Sequence, residues 1–177
     1  MIDWQSTQID FLKECIINET TYLYNYMKDK KDEIYAVSLI IDSDILTAYL
    51  AVSTYGSLKN KHKKKKWDSE EWLFTITDDI VKPCLDNFIQ IIVKRYREEI
   101  IPKFKDGFKY TDEKKANLEM YIESLKQAKL CLIERIDPSF NNVVFFINLP
   151  GEPKIIKKSA KIINEKSELL NELLKEI

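Results

Sequence analysis

Asp42 and Asp44, close together in a turn, and the adjacent pair Asp78 and Asp79 offer the oxygen ligands that magnesium or calcium takes. Turn chemistry explains Asp42 and Asp44 with fewer assumptions, because an Asp side chain readily bonds nearby backbone N–H groups. The second candidate is a basic run, Lys59-Asn60-Lys61-His62-Lys63-Lys64-Lys65-Lys66, followed by Trp67 and Trp72. Six lysines in eight residues could contact phosphates while an indole stacks on a base. Against this, the run contains no arginine, and Asp68, Glu70 and Glu71 offset much of its charge, which is the pattern of a solvated loop. Trp67 and Trp72 could anchor a protein partner as partly exposed indoles, or cover the edge of a sheet.

His62 is the chain's single histidine, and the lysines around it oppose its protonation. Histidine-based metal sites and serine triads therefore lose support. Neither G-x-x-x-x-G-K-[ST] nor G-x-G-x-x-G occurs, and three glycines in all leave little material for a phosphate-cradling loop. The sequence nominates no catalytic residue, no metal ligand and no cofactor. Its candidate contact residues are Lys63, Lys64, Lys65, Lys66, Trp67 and Trp72.

These residues need a scaffold, and the clearest scaffold signal is a β-hairpin. Two apolar, β-branched runs, Glu33 to Ile41 and Leu46 to Thr54, flank Asp42-Ser43-Asp44-Ile45. In the first run Tyr35, Val37, Leu39 and Ile41 alternate with Ile34, Ala36, Ser38 and Ile40, so both faces are largely apolar and an interior strand is expected. Further strands are read at Leu73 to Ile76 and Val143 to Ile147. Helical spacing covers the rest. Ile9, Leu12, Ile16, Leu23 and Met27, with Phe11 and Cys15 widening the face, predict a helix from about Ser6 to Lys28. Val81, Cys84, Phe88, Ile92 and Tyr96 predict a second, starting near Thr77 to Lys82. A third begins at a capping Thr111 and stops before Asp137-Pro138, since the residue preceding proline is pushed out of the α region. The tail from Glu152 is helical, with a break near Asn164.

At 177 residues the chain fits one domain, 1–177, which would bury roughly 70% of its unfolded surface. Its 28 basic and 29 acidic residues give a net charge of -1, so any pull toward nucleic acid or an anionic membrane must be local. Cys15, Cys84 and Cys131 share no C-x-x-C spacing and sit in apolar helical patterns, the placement of free thiols in a reducing compartment. No secretory leader and no run of about 18 apolar residues is present, so no membrane partner is expected and the location expected is the cytoplasm.

The segment Leu39 to Ala51, with its acidic hairpin tip and Leu46-Thr47-Ala48-Tyr49, resembles a bacterial domain-of-unknown-function family, 4303. Trp67 with Glu71-Trp72 is similar to that family's tryptophan and Glu-Trp pair, and Ser159-Ala160-Lys161 with Asn164 to its C-terminal helix. The resemblance implies an α+β domain in a bacterial cytoplasmic protein and supplies no activity. By analogy of size and style it also suggests the immunity proteins of toxin systems.

The fold expected is α+β, a mainly antiparallel sheet of about four strands covered by about five helices. The leading functional expectation is a non-enzymatic protein-binding module, with a toxin as the partner in the immunity-type case. Two rivals stand beside it: nucleic-acid binding through Lys59 to Lys66, and an enzyme whose carboxylate site the sequence does not reveal.

Overall fold

A computed structural model describes residues 4–58, 66–75 and 84–177. Chain order among these runs α1 (Trp4–Asp29), β1 (Ile34–Ile41), β2 (Ala48–Thr54), the single turn α2 (Tyr55–Leu58), β3 (Phe74–Thr75), α3 (Cys84–Arg95), α4 (Tyr110–Arg135), β4 (Val144–Asn148), α5 (Pro153–Ile163) and α6 (Glu168–Glu176). Short 3-10 turns at Ser69–Glu71, Ile101–Asp106 and Pro138–Asn142 and a π turn at Tyr96–Ile100 link them. The described residues thus hold six α-helices, one of them a single turn.

The sheet order is β3-β2-β1-β4. β1 pairs antiparallel with β2, Leu39 opposite Leu50, and parallel with β4, Val37 opposite Phe145. The sheet is therefore mixed, which corrects the mainly antiparallel expectation. Two-residue turns would have forced antiparallel neighbours, but β4 returns to β1 only after α3 and α4, and so long a connection lets the strand arrive in parallel. β1 lies in the interior, as its two apolar faces require, and seven of its eight residues are buried.

One face of the sheet, with Val37, Leu39, Leu50, Val52, Phe145 and Ile147, packs on α1, α3 and α4 through Leu12, Ile16, Phe88, Tyr121, Leu125 and Leu132. Phe11 is 39% exposed and leans on Phe88 from outside, so it does not extend the buried face of α1. The other face carries Tyr35, Ala36, Ile40, Ala51, Val144 and Phe146 beneath Trp67, Trp72, Leu170 and Leu173. Alternation alone would put Tyr35 with Val37. An irregularity in register between Ile34 and Ala36 re-aims it to the opposite cluster, the usual effect of a bulge.

The hairpin tip is fixed by polar contacts. Asp42 Oδ1 accepts from the N–H groups of Leu46 (2.8 Å) and Thr47 (3.3 Å), so β2 begins at Ala48 and not at Leu46. Asp44 pairs with Lys114 at 2.9 Å, and its carbonyl accepts from the Tyr110 hydroxyl at 2.9 Å. α4 starts one residue before Thr111, with Lys109 at the cap position and no side-chain cap bond. Its first turn still holds Asp112 and Glu113, favourable at the positive dipole end.

The unpaired edge of β4, a strand whose five residues are all buried, is closed by α5. Asn164 Oδ1 accepts from the Phe145 N–H (2.8 Å) while its Nδ2 donates to the Phe145 carbonyl (2.6 Å). One turn earlier, Ser159 Oγ accepts from the Ile147 N–H at 3.0 Å. Side chains thus take the place of a fifth strand, and a sheet edge open to pairing with other chains is blunted.

Lys129, 3% exposed, adds to this corner: its Nζ donates to the Val143 carbonyl and Asn164 Oδ1, both at 2.9 Å. Burial pushes its pKa from 10.5 down to about 8. Between those values the unfolded lysine keeps a proton the folded one has released, so raising the pH favours the folded state. The stability in urea of the parent relative to Lys129→Met should therefore climb from about pH 8 toward pH 10, a comparison in which the raised Cys15 thiol and tyrosines, common to both proteins, cancel. An unchanged slope in the variant would rule out this lysine as the cause.

Candidate functional site

A cleft of about 600 Å³ opens at the amino ends of β1 and β4. One side is Tyr24 and Lys28 near the end of α1 and the 3-10 turn with Ser139 and Phe140; the other is Tyr55, beside Tyr35, with Lys31, Asp32 and Glu33 on the rim. The aromatic walls are paired rings: Tyr24 and Phe140 at 5.1 Å, Tyr35 and Tyr55 at 5.3 Å. Volumes of several hundred cubic ångströms with apolar walls and a few convergent polar groups are typical of ligand sites.

The polar groups fall into two sets. Asp32 and Asp137 are spent on structure. Asp32 Oδ1 accepts from the backbone N–H groups of Gly56 (2.8 Å) and Glu33 (2.9 Å), tying the α1–β1 loop to α2. Asp137 caps its 3-10 turn by accepting from Ser139 N and takes a 2.5 Å hydrogen bond from the Tyr24 hydroxyl. That bond and the Ser139 contacts hold the Asp137 carboxyl at about 2, and the same bond raises Tyr24 to about 12. A proton-transfer pair would be tuned toward neutrality, and this one is driven away from it on both sides. The second set, Lys31, Glu33, Asn142 and the Tyr55 hydroxyl, forms no side-chain hydrogen bond or ion pair among the described residues.

Gly56 is held tightly in this corner. A Cβ built on it would run into Asp32 Oδ2 and lie 2.7 Å from the Asp32 carboxyl carbon. Gly56→Ala should therefore displace the Asp32 carboxylate from both N–H groups and cost about 2 kcal/mol, within the range of overpacking. A lowered urea midpoint with an unchanged slope would show it, and a neutral result would mean the loop yields without penalty.

The residues nominated from sequence fare differently. Lys63, Lys64, Lys65, His62, Asp78 and Asp79 lie outside the described residues, as do Lys59, Asn60 and Lys61. Lys66 is not a free cation: its Nζ sits 2.5 Å from Glu172 on α6 and 5.1 Å from the Trp67 ring centroid. Trp67 and Trp72 are 4% and 6% exposed and pack edge-on against Phe146. As surface anchors they are corrected by this burial: their ring area is used against the sheet. The Lys66 carbonyl accepts from both Tyr35 Oη (2.8 Å) and Trp72 Nε1 (3.1 Å), so the end of the basic run is pinned to the core.

Asp42 and Asp44 are engaged at the hairpin tip as described, and among the described residues no three His, Cys, Asp or Glu side chains are grouped to hold a metal. Cys15 is buried, with Cys84 and Cys131 partly so, and all three are free. Two buried ionisable groups had no sequence signal. Glu19, raised to about 7 by burial, accepts from Leu85 N at 2.7 Å and holds the start of α3, and Lys129 serves the β4 corner; neither lines the cleft. No local signal marks the cleft, because its lining comes from three separate stretches, 24–35, Tyr55 and 137–143, which meet only in the folded chain.

Fold and cleft together define an α+β protein with a mixed four-stranded sheet, α1, α3 and α4 on one face and Trp67, Trp72 and the leucines of α6 on the other. The chain matches no family model, no curated protein and no solved structure. Among the described residues no helix is long and apolar enough to cross a membrane.

Proposed function

We propose that this chain is a non-enzymatic protein-binding module that holds an extended segment of a partner in the cleft at the amino ends of β1 and β4. The observation that carries the reading is the unused set Lys31, Glu33, Asn142 and Tyr55 on a cleft of about 600 Å³ walled by tyrosines. Both charge signs, an amide and a phenol suit the alternating donors and acceptors of a peptide backbone, and tyrosine supplies contact area at low entropic cost. The Tyr24–Asp137 pair, locked in opposite protonation states, supports binding over proton transfer.

Nucleic-acid binding through Lys59 to Lys66 gains nothing from Lys66, whose ammonium is neutralised by Glu172. In the immunity-type case the docked segment belongs to a toxin. The test is site-specific photo-crosslinking in cells of the source organism, with the photoreactive residue at Tyr55 or Asn142 and a control at exposed Leu130 on α4, outside the cleft. One discrete polypeptide adduct at the cleft positions, missing at the control, is expected. Adducts equal at all three positions, or none at the cleft, would refute the reading.

A further inference from the structure

We infer that the projection formed by residues 101–109 is a membrane-surface contact, which lays Ile101, Phe104 and Phe108 against an anionic lipid surface within a collar of Lys103, Lys105 and Lys109. This inference stands on its own observations and does not rest on the cleft.

Beyond α3 the chain loses regular helical form. The π turn Tyr96–Ile100 runs into the 3-10 turn Ile101–Asp106, which ends at Gly107 with φ 78. Of this stretch only Ile100 is buried. In a 3-10 turn residues three apart eclipse, so Ile101 and Phe104 point the same way, and they are 44% and 40% exposed. Phe108 stacks on Phe104, with centroids 6.2 Å apart and planes at 22°.

Behind them Tyr96 and Tyr110 pack at 5.1 Å. The Tyr110 hydroxyl bonds the Asp44 carbonyl, which braces the cluster against the hairpin tip. The apolar tips are therefore held outward by built contacts.

Charge selects the surface. Residues 101–110 carry three lysines, all exposed, against the single Asp106, while the whole chain is at -1. Lys103 Nζ lies over the Phe108 ring, 5.9 Å from its centroid, which sets a cation directly beside the apolar cluster, where an anionic headgroup can meet both. A nucleic acid is less well matched: Ile101, 44% exposed beside Phe104, offers hydrocarbon with nothing to stack on, and the projection carries no arginine to pair with phosphates or bases. Glu98 and Asp106 oppose the attraction, so the contact is weak, reversible and salt-sensitive.

The geometry orients the molecule. The projection is braced to the tip after β1, whereas the cleft lies at the start of β1, about 26 Å away for an eight-residue strand. A chain resting on lipid through the projection presents its cleft to the aqueous side.

Vesicle co-sedimentation of the full chain tests this, using phosphatidylcholine alone and phosphatidylcholine with 30% phosphatidylglycerol. Binding is expected only with the anionic lipid, falling as salt rises. Each of Lys103→Gln, Lys105→Gln and Lys109→Gln should weaken partition about fivefold. Phe104→Ser should weaken it at least as much, and the lysine variants keep the test decisive if that substitution disturbs folding. Equal partition onto both vesicle types, no partition at low salt, or variants that bind like the parent would each overturn the inference. So would tighter, salt-sensitive binding to a thymidine 20-mer that is lost in the same variants.

Discussion

Replacing Trp72 with alanine should remove about 3–5 kcal/mol of folding stability, the range for deleting a large buried aromatic. The side chain is 6% exposed, meets Phe146 edge-on at 5.7 Å and Tyr35 at 6.4 Å, and donates through Nε1 to the Lys66 carbonyl. Truncation opens a cavity under the second face of the sheet and takes one of the two donors from that carbonyl. Trp72→Phe should recover most of the loss, because it restores ring area and omits only the hydrogen bond. Urea midpoints of the three proteins decide the matter. If Trp72→Ala were as stable as the parent, the indole would not be the core element described above, and its candidacy as a partner anchor would return.

The second large effect is expected at Asn164. Its side-chain amide uses its full capacity: Oδ1 accepts from Phe145 N and Lys129 Nζ, and Nδ2 donates to the carbonyls of Phe145 and Ala160. Asn164→Ala leaves the Phe145 N–H and carbonyl without their partners, and partly strips Lys129, for about 3 kcal/mol in total. A second consequence distinguishes this variant from an ordinary cavity mutant. With the β4 edge uncovered, self-association through strand pairing should appear, read as a concentration-dependent rise in light scattering. Ser159→Ala, which frees the Ile147 N–H and gives up only a longer 3.4 Å contact to the Ile147 carbonyl on the same edge, should cost about 1–2 kcal/mol and leave the protein unassociated. Equal behaviour of the two variants would argue that Asn164 merely ends α5.

These two residues show how far local pattern reaches. The break at Asn164 was legible because apolar spacing shifts there from isoleucines to leucines, and the structure ends α5 at Ile163. That the same asparagine closes a sheet edge was not legible, since its partner Phe145 is nineteen residues away and hydrogen-bond complementarity leaves no periodic trace. Likewise the two tryptophans announced a large apolar contribution, but whether that area meets water, a partner or the chain's own sheet depends on what folds over it. Here α6 and the far face of β1 and β4 do so.

By itself the sequence determined the interior character of β1, the helix over the first segment, the fourth strand and the α+β class. Each follows from side-chain spacing within one stretch, where burial imposes a period of two or near 3.6. Tertiary structure alone decided the parallel pairing of β1 with β4, the turning of Tyr35 to the opposite face, and the gathering of Tyr24, Lys31, Glu33, Tyr55 and Asn142 around one cleft. These depend on which distant segments become neighbours, a choice made by the summed packing of the whole chain, and no local run of residues encodes it.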